Sequence, residues 1–136
     1  MDDAVRRYCA ATEAGDMTAL AATFAPEVEL PSPVIGSAVF RGRDDVAELL
    51  TTVYGALRDV RWEPPVGDGP QRLAIAHARI GPMRIDDAMV FELDGEGRIA
   101  RIRPHLRPLL AIVMFFLMLG PRIARTPDLL LRALRR

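Results

Sequence analysis

Lysine is absent from this chain, and its 18 basic residues, all arginine, balance 18 acidic ones. With no net charge, the molecule as a whole has no field to steer nucleic acid or an acidic substrate toward it. Cysteine is reduced to Cys9 alone, which excludes an internal disulfide and suits a reducing compartment. The histidines, His77 and His105, lie far from Cys9 and from each other in sequence; no metal-ligand spacing exists, and no metal site is expected. No Gly-rich loop joins a strand to a helix to hold phosphate, and no Gly-x-Ser-x-Gly elbow presents a nucleophile. Internal repeats and low-complexity tracts are missing too. The N-terminus, Met1-Asp2-Asp3, is acidic and leads straight into a helical pattern, unlike a secretory signal, so a cytoplasmic location is expected.

A chain of 136 residues fits one domain of ordinary size. Its neutrality hides an asymmetry. Residues 1–100 hold 10 arginines against 17 acids, whereas 101–136 hold 8 against Asp128 alone. That basic end is also the most apolar part of the chain, so the reading is a domain over 1–106 and a helical extension over 107–136.

Val5, Tyr8, Cys9 and Thr12 recur at helical spacing, Gly15 closes that helix, and Asp16 caps a second short one before Phe24-Ala25-Pro26. On the apolar face of the first helix, Cys9 reads as a small buried hydrophobe. Glu27-Val28-Glu29-Leu30 alternates as a strand does, and Pro31-Ser32-Pro33 ends it, with loop after it. Asp44 is placed to cap a helix whose apolar face is Val46, Leu49, Leu50, Val53, Tyr54 and Leu57. Val60 and Trp62 mark another strand. Residues 73–80, 83–93 and 98–106 then read as three strands joined by Gly81-Pro82 and by Asp94-Gly95-Glu96-Gly97. Helices first and a meander afterwards is an α+β arrangement, with helices packed on one face of an antiparallel sheet.

These residues resemble a known family. Tyr8, Ala14-Gly15-Asp16, Phe24-Ala25-Pro26, Gly42-Arg43-Asp44 and Asp94-Gly95-Glu96-Gly97-Arg98-Ile99 look like the cone-shaped α+β fold of nuclear transport factor 2, the SnoaL-type polyketide cyclases and the ketosteroid isomerases. The resemblance covers residues 3–106 and implies a curved antiparallel sheet around a pocket. The pocket tyrosine of the ketosteroid isomerases matches Tyr8, but the comparison then departs. Their general-base aspartate falls at Ser32, whose hydroxyl is no base near neutral pH, and their protonated aspartate falls at Met89, which donates no hydrogen bond. Steroid isomerisation by that mechanism is therefore not expected.

Asp87 precedes Met89 by two residues and shares its face of the strand. With Trp62, Met89 and Phe91 to desolvate it, its carboxyl would have a raised pKa and could act as an acid/base beside Tyr8; the plainer alternative is a solvated or Arg-paired carboxylate. The strand facing it depends on the Gly81-Pro82 turn. A two-residue turn sets His77 opposite Asp86 on the outer face and turns Ala74, Ala76 and Ala78 toward the cavity, whereas a three-residue turn sets His77 opposite Asp87. The first is preferred, because three alanines leave room for a ligand. His105, alternating with Ile102 and Leu106, reads as outward-facing.

Eleven uninterrupted apolar residues at 109–119, bounded by Pro108 and Gly120-Pro121, make a helix of about 16 Å, half of a bilayer core. Thr126-Pro127-Asp128 starts another. A helix apolar on all sides needs cover on all sides, by its own cavity, a partner subunit or lipid. The expected protein binds a small hydrophobic molecule, needs no cofactor and forms a homodimer. Two alternatives stand beside it: a cofactor-independent isomerase-, cyclase- or hydratase-like enzyme using Asp87 with Tyr8, and an interaction module whose tail docks on a membrane or partner. Trp62, Met89, Phe91 and Ala76 are the candidate ligand contacts.

Overall fold

Val5, Tyr8, Cys9 and Thr12 recur at helical spacing because they share the buried side of α1 (Ala4–Ala14) in the computed structural model, which describes residues 3–135. Asp3 accepts from the Arg6 amide at 3.0 Å to start α1, and Gly15 ends it at φ 73°, a left-handed turn that a Cβ would resist. Asp16 then accepts from the Ala19 amide at 3.0 Å and opens α2 (Met17–Ala21). The corner legible in Gly15-Asp16 is present.

β1 (Phe24–Pro31) follows, and β2 (Val39–Arg41) pairs back on it antiparallel. Only loop is expected after Pro33, and β2 corrects this. Three residues are too few for an alternation to register. α3 (Arg43–Ala56) also departs from expectation at its start: Gly42, at φ 88°, is the N-cap in place of Asp44 and makes no side-chain cap bond. Asp44 and Asp45 lie in the first turn, where their charge meets the positive end of the helix dipole.

β3 (Arg58–Trp62), β4 (Gln71–Ile80), β5 (Met83–Leu93) and β6 (Ile99–Arg103) form an antiparallel meander. The Gly81-Pro82 turn has two residues, setting Ile80 against Met83 and His77 against Asp86, with Gly81 at φ 55°. The single strand expected over 98–106 is broken. Pro104, with no amide to donate, ends β6, and β7 (Leu106–Arg107) resumes beside Asp86 and Asp87 of β5. β1 pairs with β6 in parallel, giving the order β2-β1-β6-β5-β4-β3. The result is an α+β cone: α1 and α3 lie against a curved, unclosed sheet. On the outer face His77 sits between Asp86 (2.7 Å) and Glu63 (2.6 Å). These two carboxylates hold its pKa above the ordinary imidazole value.

The tail packs back on the cone. α4 (Leu109–Ala124) runs through Gly120-Pro121, where the sequence reading stops it at residue 119. Pro121 cannot bond the Leu117 carbonyl, and Leu117 is 66% exposed. α5 (Pro127–Leu134) starts at Thr126, whose hydroxyl donates to the Ile123 carbonyl at 3.2 Å and does not cap the helix. The two helices meet at 107°, and among the described residues no single helix is long and apolar enough to cross a membrane. Ala111, Phe115 and Leu119 join Ile80 and Ile85 in a core cluster at the hairpin end of the sheet, while Leu129 and Ala133 of α5 join the main cluster. The opposite side of α4 is uncovered: Leu109, Leu110, Val113 and Leu117 are exposed. The expected cover on all sides is not supplied by the chain itself.

Candidate functional site

Small side chains on β4 create space that larger ones would fill. Ala76 and Ala78, with Asp87 and Met89 of β5, form one wall of a cavity of about 500 Å³. Val53 and Tyr54 of α3 form another, and Phe115 and Leu119 of α4 close the top. Ser32, Tyr54 and Asp87 are the polar side chains among its lining residues. A molecule held there meets an apolar surface with polarity concentrated at a few points, the usual composition of a small-molecule site.

Those polar groups differ in what they have free. The Ser32 hydroxyl oxygen accepts from the amides of Val34 (3.1 Å) and Ile35 (2.9 Å), so it folds its own loop. Asp87 accepts from the His105 amide at 3.0 Å, a bond formed because Pro104 turns the chain away after β6. Burial disfavours the Asp87 carboxylate and pushes its pKa up to about 6, although the His105 amide and imidazole pull the other way. A carboxyl of that pKa exchanges protons near neutral pH. Tyr54 shares a hydrogen bond of 2.9 Å with Tyr8, oxygen to oxygen. Burial raises the pKa of both phenols, and the nearby negative charge of Asp87 raises both further. Each phenol therefore remains a neutral hydrogen-bond donor at any pH the fold meets.

The structure brings some of the candidate residues together and separates others. Asp87, Met89 and Ala76 share the cavity wall, and Ala76 lies directly opposite Asp87 in the ladder. Tyr8 does not line the cavity; it is fully buried behind Tyr54. Trp62 and Phe91 are also off the wall, a correction with a packing cause. Their rings enclose Tyr8, with centroids 5.8 and 5.0 Å away, and the Trp62 indole donates to Thr12 at 2.7 Å. Phe91→Ala should accordingly cost about 3–5 kcal/mol of stability, read by urea titration, while a ligand in the cavity keeps its affinity. His77 points outward as expected, and His105 is exposed but contributes its amide to Asp87. Tyr54 is the residue that sequence reasoning missed. Its signal was a hydroxyl on an otherwise apolar helix face, since a buried tyrosine needs a partner for its O–H.

A family model, the SnoaL-like domain, matches residues 5–102. The chain belongs to the SnoaL-like family. Solved structures agree on the fold. An uncharacterized protein with a cystatin-like fold from Silicibacter pomeroyi has a TM-score of 0.88 at 20% identity, covering 98% of this chain and 95% of that one, so its superposition takes in the tail helices. A steroid delta-isomerase from Pseudomonas aeruginosa has a TM-score of 0.82 at 20% identity, covering 92% of each chain. An LEH-like epoxide hydrolase from M. tuberculosis has a TM-score of 0.61 at 23% identity, covering 90% of this chain and 93% of that one. No match was found among curated proteins. The structures that share this fold thus include an isomerase and an epoxide hydrolase-like protein, and one fold carries several chemistries.

Proposed function

We propose that this SnoaL-like protein binds a small, neutral, hydrophobic molecule carrying one polar group, with the hydrophobic body against Met89, Ala76 and Phe115 and the polar group at Asp87 and Tyr54. The observation that carries this reading is a cavity of about 500 Å³ whose walls are apolar except at Ser32, Tyr54 and Asp87. Full-length protein analysed by native mass spectrometry directly after purification should retain an apolar compound, or take one up from a panel of hydrophobic ketones and alcohols. Ala76→Phe fills the space and should weaken binding by about tenfold or more. An empty cavity indifferent to every compound in the panel would refute the reading.

A second reading adds catalysis, favoured by the raised pKa of Asp87 beside a neutral phenol. Asp87 accepts a proton from a carbon next to a carbonyl and returns it elsewhere on the substrate, while the Tyr54 O–H donates to the oxygen on which charge develops. Tyr8, hydrogen-bonded behind Tyr54, holds that hydroxyl in place. This is a cofactor-independent isomerase-, cyclase- or hydratase-like reaction. Its base is Asp87, since Ser32 stands where a ketosteroid isomerase carries its own.

A further inference from the structure

The carboxyl that meets a ligand lies in the middle of the cavity wall and not at its end. Ile85, Asp87 and Met89 are successive inward positions of β5 and all line the cavity, whereas Met83 and Phe91, the next ones on either side, do not. Successive inward residues are about 7 Å apart along a strand, so the apolar wall continues for about one such step on each side of Asp87. Across the ladder Asp87 faces Ala76 of β4 on one side and Leu106 of β7 on the other, and both of these line the cavity as well. Hydrocarbon therefore surrounds this carboxyl in every direction along the sheet.

The helical wall repeats the arrangement. Tyr54 of α3 stands between Leu50, one turn before it, and Leu57, the residue that caps the helix, and all three line the cavity. Tyr54 packs against both core clusters, the main one and the one at the hairpin end, so its phenol sits at their boundary. The negative charge of Asp87 acts on that phenol, which puts the two polar groups in one region of the cavity. Ser32, the remaining polar residue of the lining, has its oxygen committed to the amides of Val34 and Ile35.

We propose that the ligand carries its oxygen in the middle of its skeleton: an internal ketone or secondary alcohol with an apolar group on each side, and not an aldehyde, primary alcohol or acid with the polar group at one end. This rests on the reading of the cavity as a small-molecule site and adds the position of the polar group. A central oxygen reaches Asp87 and Tyr54 while one apolar arm lies among Ala78, Ile85 and Phe115 and the other among Leu30, Phe40 and Met89. An isomer with a terminal oxygen has two placements, and each is worse. With the oxygen at the polar pair, one end of the cavity stays empty and the rest of the skeleton overruns the other. With both ends filled, the oxygen lies against hydrocarbon and has lost its hydrogen bonds to water without replacement.

Equilibrium dialysis of the full-length protein against two isomers tests the proposal: dibenzyl ketone, with its carbonyl at the centre, and para-phenethylbenzaldehyde, with its carbonyl at one end. The chain has no lysine to capture the aldehyde. At pH 5, below the Asp87 pKa of about 6, both Asp87 and Tyr54 can donate to a carbonyl oxygen. Dibenzyl ketone should bind about tenfold or more tightly than its isomer. Asp87→Val, which puts a strand-forming hydrocarbon in place of the carboxyl, and Tyr54→Phe should each cut that preference about threefold or more. Equal affinities, a preference for the aldehyde, or a preference that survives in both variants would overturn the proposal and leave the cavity a small-molecule site. Binding of neither isomer would overturn it too, and the wider panel of ketones and alcohols then decides whether the cavity takes a small molecule at all.

Discussion

Asp87→Asn should make the folded protein more stable at pH 8, by at most about 3 kcal/mol, and leave it nearly unchanged at pH 3. The folded-state pKa of about 6 stands above the free value of 3.8. Between those two values the native state holds a proton that the unfolded chain releases, so Asp87 makes stability fall as pH rises through that window. Above pH 6 the whole cost of a buried carboxylate is present, and below 3.8 it has vanished. Asparagine keeps an oxygen to accept from the His105 amide and removes only the charge. Any turnover found for the wild type should disappear in the same variant, with ligand affinity kept, since asparagine cannot carry the proton. Urea titrations at the two pH values read the first effect. Equal changes at both would show that Asp87 is solvated in the folded state.

The gain from Asp87→Asn expresses what a carboxyl in an apolar wall costs. A carboxyl kept near neutral pKa by an apolar wall is a local violation of core rules, and the surrounding hydrophobic clusters offset it. This is why Asp87 was readable in advance. It stands between Ile85 and Met89 in a strand whose inward positions are otherwise apolar, and the period of two forces it inward with them. The register that faces it with Ala76 was also readable, because glycine is suited to the first position of a two-residue turn. A slip of one residue would have brought His77 inside.

What was not legible depended on contacts distant in sequence. Tyr54 and Tyr8 are 46 residues apart, and nothing local says that their hydroxyls meet. Trp62 and Phe91 have the inward side chains expected of cavity residues, but the cavity needs space, and these rings are consumed in enclosing Tyr8. The path after Arg103 was hidden as well. Pro104 was visible as a strand breaker, yet the return of the chain to β5 at β7, which puts the His105 amide on Asp87, is a tertiary outcome. The resemblance to the cone-fold family therefore located the pocket, whereas the composition of its wall followed from packing.

Deleting residues 108–136 should leave a protein that aggregates or binds a hydrophobic dye on expression. The argument rests on the two unlike sides of α4. Its inner side places Phe115 and Leu119 on Ile80 and Ile85, and α5 adds Leu129 to the main core; burying each such side chain fully is worth about 1.5–3 kcal/mol. Removal exposes those residues' partners together with the cavity wall, in a domain whose whole stability is of the order of 5–15 kcal/mol. Phe115→Asp, a point change on the inner side, should reproduce much of the damage by putting a charge where the chain has no partner for it. Leu117→Glu on the outer side should be harmless to folding, since water already surrounds that position. Thermal melts of the two point variants, with size-exclusion profiles, separate the sides. A well-behaved truncation, or a Phe115→Asp protein as stable as Leu117→Glu, would mean that α4 rests on the cone without holding it together.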